Sequence, residues 1–255
     1  MKRSIYALAA LFCLSASAAE LDRPAVQQLL AKADDSHPAQ LRRLDLTGLD
    51  LSGLDFKQAD LWGADLRNAN LSDSDLSGLN LDLTVMSKIN LSGANLSNTS
   101  IFGVHMGGSD LSKANLTGSR FIANLDRSNL SYADLSHANW GVDMKNQPMG
   151  LMRVSLNNVN LTGANLTDAN LNRALIRHAN LSGSVLKNTV LFGVDLSGAT
   201  LAGADLSGAD LSESKLEDAD FTGANLSGTR FGAVSNKAVL KQLKAAKNFE
   251  AAVFD

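Results

Sequence analysis

The chain has 255 residues, 45% of them apolar but only 5% aromatic, and a formal net charge of -3 at pH 7. It is long enough to bury a large core, and that core must be built from Leu and Ala. The charge is too mild to argue for nucleic-acid binding, and a single cysteine, Cys13, leaves little scope for a disulfide framework or a cysteine-ligated metal site.

Residues 1–19 read as an export signal. Lys2 and Arg3 form a positive n-region, Ile5 to Leu14 an apolar stretch of about ten residues, and Ala16-Ser17-Ala18 a small-x-small cleavage site. The apolar stretch is short of the ~20 residues that span a bilayer, so cleavage near Ala18 or Ala19 and a periplasmic or secreted protein are expected, in preference to an uncleaved anchor. Cys13 lies inside the stretch after Leu11-Phe12, without a lipobox. Cleavage removes it with Lys2 and Arg3, taking the formal charge from -3 to -5.

Residues 20–43 form a capping segment. Asp22 and Pro24 are helix-start signals, Val26, Leu29, Leu30 and Ala33 recur at helical spacing, and Asp34-Asp35-Ser36-His37-Pro38 breaks the pattern, which predicts a helix over 23–33.

From 44 to 234 the chain repeats every five residues. Ala64-Asp65-Leu66-Arg67-Asn68, Ala94-Asn95-Leu96-Ser97-Asn98 and Ala204-Asp205-Leu206-Ser207-Gly208 share one template: small residue, Asp or Asn, large apolar residue, two polar or Gly positions. Neither strand alternation nor a helical period of 3.6 keeps every fifth residue on one side for this length. A chain that turns a corner every five residues does. Four corners close a square coil of about twenty residues with the central apolar residue inward, and coils stack at ~4.8 Å. Counting central positions from Leu46 to Phe231, Met144 included, gives about 38 pentads, 9–10 coils and a rod of ~45 Å. The pattern resembles the pentapeptide repeat family, whose template is A-[DN]-L-x-x. The resemblance implies a right-handed quadrilateral β-helix; leucine-rich repeats, the rival Leu-rich solenoid, have a period of 20 to 29 residues.

One segment departs from the template. Central positions step by four from Phe121 to Leu125, continue through Leu130, Leu135 and Trp140, and regain the original phase at Leu151. An irregular loop is therefore expected at about 141–150, around Lys145, Asn146, Gln147 and Pro148, as a bulge beside Trp140 or as a partner contact.

With twenty residues per coil, Trp62, Leu83, Phe102, Ile122 and Val142 stack as a solvent-facing apolar stripe that ends at Thr162, Ser182 and Ala202. Such a stripe is either covered by the N-terminal segment or offered to a partner or a second copy. Arg67, Lys88, Arg127, Lys145 and Lys187 form a mild basic column. Residues 235–255 read as a C-terminal helix that closes the array and is a possible dimer contact, with Lys237, Lys241, Lys244 and Lys247 on its polar side.

Catalysis finds no constellation. His105, His137 and His178 point outward, and His137 and His178, although on one face, lie two coils or ~10 Å apart, too far to share a metal. Asp alternates with Asn before the central residue, as in Asp65, Asn70, Asp75 and Asn80, which suits turn chemistry and not general acid or base work. No cofactor is implied. The expected function is a non-catalytic scaffold that holds another protein of the bacterial envelope. The alternatives are a self-assembling rod, or, as the family resemblance implies, a DNA mimic that protects a topoisomerase from quinolones. The export signal and the basic column argue against the last.

Overall fold

The computed structural model describes residues 21–142 and 152–254. The chain opens with helix α1, Arg23–Leu30, capped by Asp22, whose carboxylate accepts the Ala25 amide at 2.9 Å. It is shorter than the expected 23–33. The amides of Lys32 and Ala33 turn to the carbonyls three residues back, Leu29 and Leu30, so the last turn tightens and stops.

Strand β1, Ala39–Gln40, pairs in parallel with β2, Ala59–Asp60, and from there the same twenty-residue offset recurs: Asp45 with Asp65, Asp50 with Asn70, Asp55 with Asp75, and onward. Each coil thus holds four pentads. Within a pentad the amide three residues after the central one returns to its carbonyl, as Ala69 does to Leu66 at 3.1 Å, and the residue before that amide has positive φ. This is the backbone of a turn with a left-handed third residue, which is why Gly or Asn is frequent there. Between coils the bonds have a fixed sense. Leu46 and Gly48 donate forward to the carbonyls of Asp65 and Arg67, while Asp65 donates back to Leu44.

The central side chains fill the interior, from Leu41 through Phe56, Leu96 and Leu166 to Leu226, all fully buried. Small residues two before them complete the core, and where these are Ser or Thr the hydroxyl donates to a backbone carbonyl: Ser74 to Leu51 at 3.0 Å, Thr189 to Leu166 at 2.7 Å.

The irregular region differs from the expectation. Strands β3, Ser100–His105, and β4, Arg120–Asn124, pair in parallel with a shift between Phe102 and Val104, because the side from Phe121 to Leu125 has four residues against five below it. The register then steps nineteen residues, Asp110 to Asn129, and afterwards thirty-one, Asn124 to Ser155 and Asn139 to Asn170. Trp140 therefore lies on Phe121, ring centroids 4.7 Å apart, and hands its column to Leu171. The five-residue phase is in place again at Leu156, but the twenty-residue coil count does not carry across the break: Leu125 is overlaid by Leu156, the Leu125 amide bonded to the Ser155 carbonyl at 2.8 Å, and Leu151 lies outside the described residues. Lys145, Asn146, Gln147 and Pro148 lie outside the described residues, as do residues 1–19.

The C-terminal segment is not one helix. Helix α2 covers only Lys237–Leu243, and the chain then lies along the last coil, where Ala245, Lys247, Ala251 and Val253 accept from the amides of Gly223, Leu226, Gly228 and Phe231. A continuous helix would have left those forward-pointing amides unpaired. Among the described residues no helix is long and apolar enough to cross a membrane.

Candidate functional site

The coil offset decides which side chains share a side. On the side that carries Trp62, the position after the central residue runs through Trp62, Asp82, Phe102, Ile122 and Gly141, and the thirty-one-residue step continues it at Asn172, Phe192 and Ser212. Thr162, Ser182 and Ala202, expected to extend this row, belong to the row of Ser112 and Ser131. Phe192 is thus an apolar member of the Trp62 side that counting by twenties assigns elsewhere. The signal in the sequence was the four-residue step at Phe121, which showed that the count was broken but not by how much.

Two members of the expected stripe are not solvent-facing. Ile122 is 5% exposed and Val142 9%. The four-residue side has no outward turn residue, so Ile122 and Ala123 run straight within β4 and are drawn in. Trp62 and Phe102 are half-buried. The Trp62 ring carries two guanidinium groups, Arg42 at 4.3 Å and Arg43 at 4.9 Å from its centroid, and Arg173 lies 5.7 Å from the Phe192 ring. Leu83 is 54% exposed. Helix α1 does not cover it: α1 sits on the end of the first coil, where Val26 is fully buried and Arg23 donates to the carbonyls of Asp50 and Ser52 at 2.9 and 2.7 Å.

Leu83 also has φ of 61°, a left-handed conformation, between Gly63 and Gly103 at the equivalent turn positions of the neighbouring coils. Among the described residues it is the one aliphatic side chain held this way. An L-residue pays about 1–2 kcal/mol for this backbone region.

Of the basic column, Arg67, Lys88 and Arg127 keep to one side. Arg67 is bound by Asp65, Lys187 stands on another side 3.3 Å from Asp205, and Lys145 lies outside the described residues. His137 and His178 do not share a side: His137 lies 3.9 Å from Asp168, whereas the His178 ring packs over Gly198 in the column of Lys88 and Arg127. No group of three His, Cys, Asp or Glu suited to a metal occurs among the described residues. The aspartates behave as turn groups. Asp50, Asp75 and Asp220 accept the amide two residues on at 3.1, 2.9 and 2.8 Å. The hydroxyl and amide of Thr47 hold the Asp45 carboxyl below its ordinary range, and those of Thr222 do the same for Asp220. A surface groove of about 610 Å³ lies beside the last coils between Phe192, Glu213, Glu217 and Val239 and brings together carboxylates, hydroxyls and apolar side chains.

These features define a parallel β-solenoid of twenty-residue coils with a decorated outer surface. A family model, Pentapeptide repeats (8 copies), matches residues 39–78, 50–87, 80–118, 155–191 and 189–228, and the chain belongs to the pentapeptide repeat family. The model skips the stretch where the register breaks. Among solved structures, the chain is similar to HetL, a pentapeptide repeat protein involved in heterocyst differentiation regulation from the cyanobacterium Nostoc sp. strain PCC 7120, at 29% identity over 83% of this chain and 97% of that one, TM-score 0.30. QnrB1, a plasmid-mediated fluoroquinolone resistance protein, shows 21% identity over 79% and 96%, TM-score 0.43. AT2G44920, from the Arabidopsis thaliana thylakoid lumen, shows 20% identity over 55% and 78%, TM-score 0.33. No curated protein sequence matched the chain.

Proposed function

We propose that this protein is an exported, non-catalytic binding scaffold, a right-handed four-sided β-helix that holds another protein through the side bearing Trp62, Leu83, Phe102 and Phe192. The observation that carries the reading is Leu83. A large aliphatic side chain, more than half exposed, occupies a left-handed turn position where glycine serves in the coils on either side. Folding gains little from it and loses some stability to it, so its use lies in contact with something else. Export rests on the n-region, apolar stretch and small-x-small site within residues 1–19.

The test combines fractionation, intact mass and crosslinking in cells from position 102. The expected species is periplasmic, begins at Ala19 or Glu20, and gives crosslinks that weaken in the Leu83→Gly variant. That variant should melt within about 1 kcal/mol of the parent, since relief of the left-handed cost offsets the freedom glycine gains when unfolded. A cytoplasmic species retaining Met1 removes the export reading and makes gyrase supercoiling with a quinolone the next assay. Crosslinks indifferent to Leu83 remove the contact reading.

A further inference from the structure

We propose that the C-terminal end of the rod docks on an anionic lipid bilayer, through the lysines of the closing segment and the apolar side chains beside them. These residues take no part in the Trp62 side, so the proposal goes beyond that reading and does not depend on it.

The segment that closes the last coil, residues 233–254, carries four lysines and one glutamate in a chain whose formal net charge is -3. Lys237, Lys241 and Lys244 follow at steps of four and three, so they form one stripe, and helical spacing sets that stripe opposite Val239 and Leu243, which are buried in the core. The stripe therefore points away from the rod. Lys247 follows on the edge of the last coil, in register with Asn225. All four are exposed. Among the described residues none has a carboxylate partner, although the coil beneath presents Glu217, Asp218 and Asp220. The helix dipole suits Lys241 and Lys244 near the C-terminal end of α2, but Lys237 stands in its first turn, where a cation is disfavoured. Folding thus accounts for two of these charges and not for the third.

Charge alone would suit any polyanion. The bilayer is selected by Val253 and Phe254, which lie on the same closing segment and are 41% and 38% exposed. A soluble polyanion would leave them in water, whereas a membrane surface takes cations at its phosphates and apolar side chains just beneath. Phe254 is stacked on Phe231, ring centroids 5.4 Å apart, and Val253 is in register with Arg230. The contact is therefore built on the last coil, and docking would hold the rod by its end with its sides free.

Cosedimentation of the purified protein with vesicles of phosphatidylcholine and phosphatidylglycerol, and with vesicles of phosphatidylcholine alone, tests this. Binding is expected to the mixed vesicles only, and should weaken as salt is raised. Replacing Lys237, Lys241 and Lys244 together by Gln should lower the partition coefficient about a hundredfold. Phe254→Ser should lower it several-fold and leave the salt dependence unchanged. Replacing Lys88, Lys113 and Arg127 by Gln removes as many cations from the sides of the rod and should leave binding at the wild-type level. Melts of both triple variants should match the wild type, all six positions being exposed. No binding to the mixed vesicles, equal binding to both kinds, or an equal loss in the two triple variants overturns the proposal. So does capture of soluble polyphosphate without vesicle binding. Leu83-dependent crosslinks from position 102 are unaffected by any of these outcomes, so the scaffold reading stands or falls on its own test.

Discussion

An aspartate and an asparagine before the central residue do the same work within their own coil and different work between coils. Either can accept the amide two residues on, but only the amide can also donate to the coil before it. Asn70 donates to Asp50 at 3.0 Å and Asn90 to Asn70 at 2.9 Å; Asn95 donates to Asp75 at 3.1 Å and Asn115 to Asn95 at 3.2 Å; Asn225 donates to Asp205 at 3.0 Å and Asn248 to Asn225 at 2.7 Å. In each of these ladders the aspartate stands at the foot, where no donor is needed. Where acid stands over acid a cation intervenes. Lys57 reaches Asp55 at 3.2 Å and Asp75 at 3.5 Å, and Arg67, bonded to Asp65, holds that carboxyl below its ordinary range. The alternation that looks free in the sequence therefore follows a rule that only the stacking reveals. Asn90→Asp should cost about 1–2 kcal/mol at neutral pH, since the new carboxylate faces the Asn70 oxygen without a proton and has Asp110 in the next coil. Its folded-state pKa would be raised, so the loss should shrink as pH falls through the carboxylate range. Urea midpoints at neutral and acidic pH that show an equal loss would mean the ladder proton is idle.

A coil is defined by its turns and hydrogen bonds, and the sequence reports only its residues. This is why the five-residue period, the twenty-residue coil and the inward central position were legible, while the second half of every column was misassigned. The register steps thirty-one residues from Asn139 to Asn170, where a regular coil takes twenty, so counting pentads from Phe121 to Leu151 closed on a number that the bonds do not share. The same count hid Phe192, whereas Ile122 is buried because the four-residue side from Phe121 to Leu125 has no outward turn. Trp140 was legible as oversized. The structure shows how it is used, with the ring stacked on Phe121 and Nε1 donating to the Ser119 hydroxyl at 3.0 Å, so the one indole in the core is both packed and satisfied. The regular coils tolerate less. Leu166→Asp would put a carboxylate where the side chain is fully buried among leucines, and should cost more than about 4 kcal/mol and abolish the cooperative melt. An unaltered melt would refute the inward assignment.

At the scale of the whole molecule the two ends face different problems. The first coil turns carbonyls outward, and Arg23 meets two of them with one guanidinium. The last coil turns amides outward, and the segment from Ala245 to Val253 supplies carbonyls, closed over by Phe254, which stacks on Phe231 with centroids 5.4 Å apart. That both ends are capped was legible from the change of pattern at each flank. The form of the C-terminal cap was not, because apolar residues at helical spacing fit an extended run along a coil edge equally well. Arg23→Met should lower the urea midpoint by about 1 kcal/mol of stability without changing the m-value. A changed m-value would mean that the first coil itself had opened.

The fixed sense of the bonds between coils also sets an order in time. A chain that emerges from its amino terminus presents α1 and the Arg23 cap first, and the coil completed next ends in forward-pointing amides such as those of Leu46 and Gly48. Each later twenty residues arrives at an edge already shaped to receive it, with its acceptors on the leading side. The array can therefore grow by accretion from one end while the rest of the chain is still being made or threaded, and the closing segment becomes useful only when the last coil is in place.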